Sequence, residues 1–172
     1  MNIVLTDSQY EADHIYFMEP IVNTIMENSV FIKVIYSNPI IILNGLYLQL
    51  DLKLISSEIY FKKVKYTYDI NNDHNRIMLN KIFNIENSIL DKYSISSINK
   101  KKKNIIYDTL ISGAIKLYPN AQYNDEAVSN TTTNTVTKSV SKVSSSNVFI
   151  LKISGIWENT NEYGLTYKII QS

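Results

Sequence analysis

A chain of 172 residues with 17 basic and 16 acidic side chains is long enough to fill one core and rather short for two. It is also too evenly charged for a whole-molecule field to draw in a polyanion. The absence of cysteine excludes disulfides, thiolate zinc sites and cysteine nucleophiles, and suits a reducing compartment. One domain is therefore expected over residues 1–172, with any charged binding surface confined to a local patch.

The start, Met1-Asn2-Ile3-Val4-Leu5-Thr6-Asp7, has no basic leader, and no window approaches the roughly 20 apolar residues that span a bilayer. A soluble, intracellular protein with no membrane partner is expected. Arg76 is the only arginine in a chain rich in Ile, Asn and Lys, a bias that follows from coding DNA rich in A and T. Phosphate contacts would accordingly fall to lysine, as point charges and not as a planar fork.

Taken in chain order, Tyr10 to Asn28 places apolar residues at 17, 21, 25 and at 18, 22, which predicts a short helix interrupted near Pro20. Val30 to Tyr36 is β-branched and aromatic, Ser37-Asn38-Pro39 breaks it, and Ile40 to Leu43 resumes it, giving consecutive strands. Asn44-Gly45 between apolar runs predicts a tight type I′ hairpin turn. Leu46, Leu48, Leu50, Leu52 and Leu54 alternate with Tyr47, Gln49, Asp51 and Lys53, a strand with one face on the core.

Glu58 to Asp69 alternates too, with Tyr60, Lys62, Val64, Tyr66 and Tyr68 on one side and Ile59, Phe61, Lys63, Lys65 and Thr67 on the other. Asn71-Asn72-Asp73 then suits the start of a helix over Asn75 to Tyr93, where Met78, Ile82, Ile85, Ile89 and Tyr93 recur at helical spacing. Lys100 to Lys103 reads as a solvated connection. Ile105 to Ser112 reads as a short helix ended by Gly113, and Ala114 to Tyr118 as a strand stopped by Pro119. The Ser/Thr/Asn/Val composition of residues 120–147 predicts a mobile polar loop or a loose hairpin. Val148 to Trp157 and Tyr163 to Ile170 form a closing hairpin around a polar turn.

The resulting class is mainly β with an inserted helix (α+β). Three strands, a helix, a fourth strand, a loop and a hairpin match a small five-stranded antiparallel OB-like barrel, with the main helix between strands 3 and 4. Other small barrels and sandwiches with one inserted helix share that order.

The run from Tyr60 to Tyr68 interleaves rings with lysines, as single-stranded nucleic acid asks of its binder. Bases stack on rings at about 1–3 kcal/mol each, and ammonium groups follow phosphates. Tyr60, Lys62, Lys63, Lys65 and Tyr66 are candidate contacts on that ground, although an edge strand guarded by lysines reads the same way. Trp157, the only tryptophan, and Tyr167 are expected near one another across the closing hairpin, with Lys152 and Lys168 on neighbouring positions, and these four complete the candidate set. Gly155 and Gly164 mark a bulge or a close approach.

His14 and His74 stand without enough partners for a metal. No phosphate loop, nucleophile elbow, HExxH or GxGxxG is present, and no carboxylate pair has catalytic spacing. Neither an enzyme nor a cofactor is expected.

Ile150-Leu151-Lys152-Ile153-Ser154-Gly155-Ile156-Trp157, followed by Tyr163-Gly164-Leu165-Thr166-Tyr167-Lys168-Ile169-Ile170-Gln171, resembles the terminal strands of the phage-type single-stranded-DNA-binding proteins that also occur in large double-stranded DNA viruses. The resemblance implies an OB barrel and sequence-independent binding of single-stranded DNA, or RNA, in viral replication or recombination. It also implies self-association or other viral proteins as partners, and a location in the host cytoplasm, at a replication site or in the virion. The acidic tail common in that family has no counterpart in Ile169-Ile170-Gln171-Ser172, a departure that bears on partner recruitment. The alternative is a viral structural or adaptor protein whose thirteen tyrosines serve protein interfaces.

Overall fold

The computed structural model describes residues 3–60, 63–94, 99–118, 140–141 and 147–171. Two 3-10 turns, Asp7–Gln9 and Ala12–His14, precede β1 (Ile15–Phe17), β2 (Ile21–Val22), β3 (Val30–Ser37), β4 (Ile42–Asn44), β5 (Leu46–Leu52), β6 (Leu54–Tyr60) and β7 (Lys63–Tyr68). Helix α1 (Asp73–Ser94) follows, then β8 (Lys101–Lys103), α2 (Ile105–Leu110), β9 (Ala114–Leu117), β10 (Val140–Ser141), β11 (Asn147–Glu158) and β12 (Glu162–Gln171).

The molecule is mainly β with one long helix, and its sheet curls into a half-barrel. The expected five-stranded barrel is not what forms. Eight strands make the larger sheet, in the order β1-β3-β11-β12-β8 with β2 and β4 on β3 and β5 on β11, and four make the smaller, β10-β6-β7-β9. The Glu58 to Asp69 run, expected as one strand, is divided between β6 and β7, which pair with each other; α1 follows it, and β8 and α2 intervene before β9.

The curl has a local cause in two glycines. β11 pairs with β5 up to Ile153 and with β3 from Gly155 onward, and its register with β12 shifts at the same place. A Cβ on Gly155 would lie 2.4 Å from the Ile32 carbonyl oxygen and 2.5 Å from the Phe31 ring, so a side chain here would push the strands apart. Gly45 has φ +93°, and a Cβ on it would lie 2.6 Å from the Ile153 carbonyl oxygen. Of the positive φ expected at both Asn44 and Gly45, only that of Gly45 is present, and the hairpin does not form. β4 pairs with β3 and β5 with β11, so Gly45 is the corner at which the chain changes partner.

Only Lys53 separates β5 from β6, and there the chain passes from the larger sheet to the smaller. Leu46, Leu48, Leu50 and Leu52 are at most 1% exposed, as their alternation requires. They meet Leu79, Ile82, Ile85, Ile89 and Tyr93 of α1 together with Phe149, Leu151, Ile153, Ile156 and Leu165 in one core.

Two other expectations are corrected. Tyr10 to Asn28 is not a helix: β1 and β2 both pair antiparallel with β3, and Pro20 could not have continued a helical ladder. The apolar spacing there was not a core stripe either, since Ile25 is 96% exposed. Lys100 to Lys103 is not a solvated connection, because Lys101–Lys103 runs parallel to Glu162, Tyr163 and Gly164 of β12. The mobile loop expected over residues 120–147 lies mainly outside the described residues. Within it, the Val140–Ser141 backbone pairs with Glu58 and Ser57 of β6, and Asn147 opens β11. Among the described residues no helix is long and apolar enough to cross a membrane.

Candidate functional site

β8 covers the outer edge of β12 only from Glu162 to Gly164. From Leu165 to Gln171 that edge has no strand partner among the described residues, and β9 is the end strand of the smaller sheet. Between these two edges opens a cleft of about 920 Å³, into which Lys65, Lys116, Lys168, Tyr118 and Tyr167 contribute. Two hydrogen bonds tie its walls. The Tyr167 hydroxyl donates to Thr109 Oγ1 of α2 at 2.8 Å, and the Tyr66 hydroxyl to Gln171 Oε1 at 2.9 Å.

Among the described residues no aspartate or glutamate lines the cleft. Lys65 stands directly opposite Lys116 across β7 and β9, and Lys168 directly opposite Lys152 across β12 and β11. Like charges at directly opposed positions disfavour the sheet by themselves. Glu58, on the far side of Lys65, is the nearest acidic position in register. Lys63 Nζ lies 4.7 Å from the centre of the Tyr118 ring, and that ring is 71% exposed.

Four lysines elsewhere are held in ion pairs. Lys81 pairs with Asp7 at 2.7 Å, Lys102 with Asp91 at 2.6 Å, Lys103 with Glu162 at 3.0 Å, and Lys100 with Glu158. Among the described residues no carboxylate reaches ion-pair distance of Lys65, Lys116, Lys152 or Lys168. Lys33, Lys53, Lys92 and Lys101 are likewise outside the ion pairs of the described residues, so what sets the cleft apart is that three such lysines converge beside two tyrosine rings. Comparison with protein-family models, with curated proteins and with solved structures finds no match for this chain.

The residues singled out in the sequence divide into three groups. Lys65, Tyr167 and Lys168 line the cleft, and Lys63 and Lys152 adjoin it through Tyr118 and Lys168. Tyr66 is beneath it and not open to a base: it is 6% exposed, its ring meets Phe149 edge-on at 5.1 Å, and only its hydroxyl reaches the cleft wall. Trp157 lies away from the cleft on the outer face of the larger sheet, opposite Phe31, and its ring covers Gly164. Lys62 falls outside the described residues, and of Tyr60 only the backbone, paired with Lys63, is described.

Sequence reasoning missed Lys116 and Tyr118. Their shared face followed from the alternation of Ala114 to Tyr118, but their meeting with Lys65 and Lys168 depends on strand pairing across long separations.

The remaining polar burial is structural. Glu86 is fully buried and accepts from the backbone N–H of Ile106 and of Tyr107, each at 3.0 Å. Burial pushes its carboxyl up from the ordinary 4.5, against the pull of those two donors. Burial, then the adjoining Glu158 carboxylate, drives the Tyr93 phenol well above its ordinary range. His74 Nε2 lies 3.4 Å from Asp51 Oδ2, and His14 Nδ1 lies 3.5 Å from Glu11 Oε2. Among the described residues no cluster of three such ligands gathers as a metal would require.

Proposed function

We propose that this protein binds single-stranded nucleic acid, without reading its sequence, in the cleft between β9 and β12. The observation that carries the reading is the convergence of Lys65, Lys116 and Lys168, unpaired with carboxylates, beside the rings of Tyr118 and Tyr167. A groove that follows phosphates with ammonium groups and offers rings for stacking suits any sequence, because every base has a π-face. The resemblance at Ile150 to Trp157 and Tyr163 to Gln171 supports the same reading and, with it, DNA as ligand and a role in viral replication or recombination.

The test is a fluorescence titration of a labelled oligothymidylate at several salt concentrations, with duplex of equal length in parallel. Three to five lysine contacts at about −0.7 each give a log-log salt slope of about −2 to −3.5, and the single strand should bind more tightly than duplex. Tyr118→Ala should cost about 1–3 kcal/mol of affinity if a base stacks there. Lys102→Gln, on the ion-paired β8, should leave affinity within about twofold of the parent. Equal losses in Lys102→Gln and in the cleft variants would remove the cleft from the mechanism.

A separate observation favours the structural or adaptor reading. Ile21, Val22 and Ile25, close together in one segment, are 60%, 79% and 96% exposed, and a contiguous exposed apolar patch is a mark of protein contact. Concentration-dependent sedimentation with no oligonucleotide binding would select that role.

A further inference from the structure

We propose that the binding track does not stop at the cleft. It continues across the outer face of the larger sheet along Lys168, Lys152 and Tyr47, and Tyr47 stacks a base at its far end. This inference rests on the reading of the cleft as a single-strand site.

β12, β11 and β5 are successive neighbours. Lys168 is directly opposite Lys152, and Lys152 directly opposite Tyr47. Residues so opposed share a face, and this face points away from the core, because the alternate positions Leu46, Leu48, Leu151 and Ile153 are at most 1% exposed. The three side chains therefore form one row across the strands, with Lys168 in the cleft and Tyr47 two strand spacings, or about 10 Å, further on.

The Lys152 ammonium sits 5.1 Å from the centre of the Tyr47 ring, held by the ring on one side and repelled by Lys168 on the other. A phosphate arriving between the two lysines gives Lys152 an anionic partner and draws it from the ring. The ring face it leaves is then open to the base attached to that phosphate. The flanking rows carry no acid: Gln49, Ile150 and Ile170 lie on one side, Gly155 and Thr166 on the other. Asp51, further along the same face of β5, is engaged by His74 at 3.4 Å.

Oligothymidylates of about 4 and about 12 nucleotides, within the span of site sizes for such grooves, separate the cleft from the extension. With the long strand, Tyr47→Ala should weaken binding at least about fivefold. Lys152→Gln should lower the salt slope by about 0.7, and Tyr47→Phe, which keeps the ring, should bind like the parent. With the short strand, all three should stay within about twofold. The extension is overturned if folded Tyr47→Ala binds the long strand unchanged while Lys168→Gln weakens it, since the track then ends at the cleft. Equal losses for both lengths in Tyr47→Ala overturn it as well. If the parent chain binds neither strand, the cleft reading itself falls, and the extension with it.

Discussion

Asn75 has no exposed surface, and its amide serves the backbone at the point where β5 becomes β6. Its Oδ1 accepts from Lys53 N–H at 2.8 Å, while its Nδ2 donates to the carbonyls of Lys53 at 3.0 Å and of Asp69 at 2.8 Å. The side chain therefore replaces ladder bonds that the chain gives up in leaving one sheet for the other. Asn75→Ala would leave the Lys53 N–H and the Lys53 and Asp69 carbonyls, all part-buried, without this partner, and each unsatisfied group costs about 1–3 kcal/mol unless water reaches it. We expect a loss of about 2–4 kcal/mol in urea denaturation, with an unchanged m-value. Nothing in Asn71-Asn72-Asp73-His74-Asn75 distinguishes this asparagine from its neighbours. The capping role of Asn72, whose Oδ1 accepts from His74 N–H at 3.1 Å, was legible because a cap is a local device. That of Asn75 was not, because Lys53 lies 22 residues away.

At the scale of elements, legibility followed the range of the interaction that fixes each one. Periodicity placed β5, α1, β11 and β12 close to their observed bounds, since a buried stripe on an amphipathic segment needs only the existence of a core. It misplaced β1 and β2, whose state is set by pairing to β3, and it missed β8, where Lys102 and Lys103 find Asp91 and Glu162. Helix α2 is a mixed case. Its start at Ile105 was readable and its expected end at Ser112 overran the observed Leu110 by two residues, but its N-terminal N–H groups are satisfied by Glu86 of α1 and not by a neighbour in sequence. That arrangement is pH-sensitive, with Asp108 adding to the upward shift and Lys102 opposing it. Because the folded carboxyl binds its proton more tightly than the ordinary 4.5, the stability it contributes is complete below that value. It declines as pH rises toward the folded value. Glu86→Gln cannot titrate, so the melting temperature of the parent minus that of the variant should fall as pH rises above 4.5. A constant difference would show that Glu86 has the same proton affinity folded and unfolded.

For the molecule as a whole, a net charge of +1 conceals a division of labour among its lysines. Long-range contacts neutralise Lys81, Lys100, Lys102 and Lys103, and the two sheets, left open between β9 and β12, bring together three lysines that have no such partner, Lys65, Lys116 and Lys168. Composition could not reveal this, because neither the ion pairs nor the cleft is local in the chain; only the lysine and ring alternation of β7 and β12 hinted at it. The division predicts that stability and binding oppose one another. Lys65 and Lys116 stand directly opposite one another, and such a like-charge pair works against the folded sheet. Lys116→Gln should therefore make the free protein more stable, by about 0.2–1 kcal/mol at low salt. Added salt, which screens the repulsion in the parent, should narrow that gap. The same substitution removes one phosphate contact, so affinity for oligothymidylate should fall and the salt slope should become shallower by about 0.7. Melting curves and titrations on one preparation measure both quantities. A site shaped for an anion requires the two changes to take opposite signs, whereas lysines that merely guard a sheet edge would lose stability or solubility on substitution and leave the titration where it was.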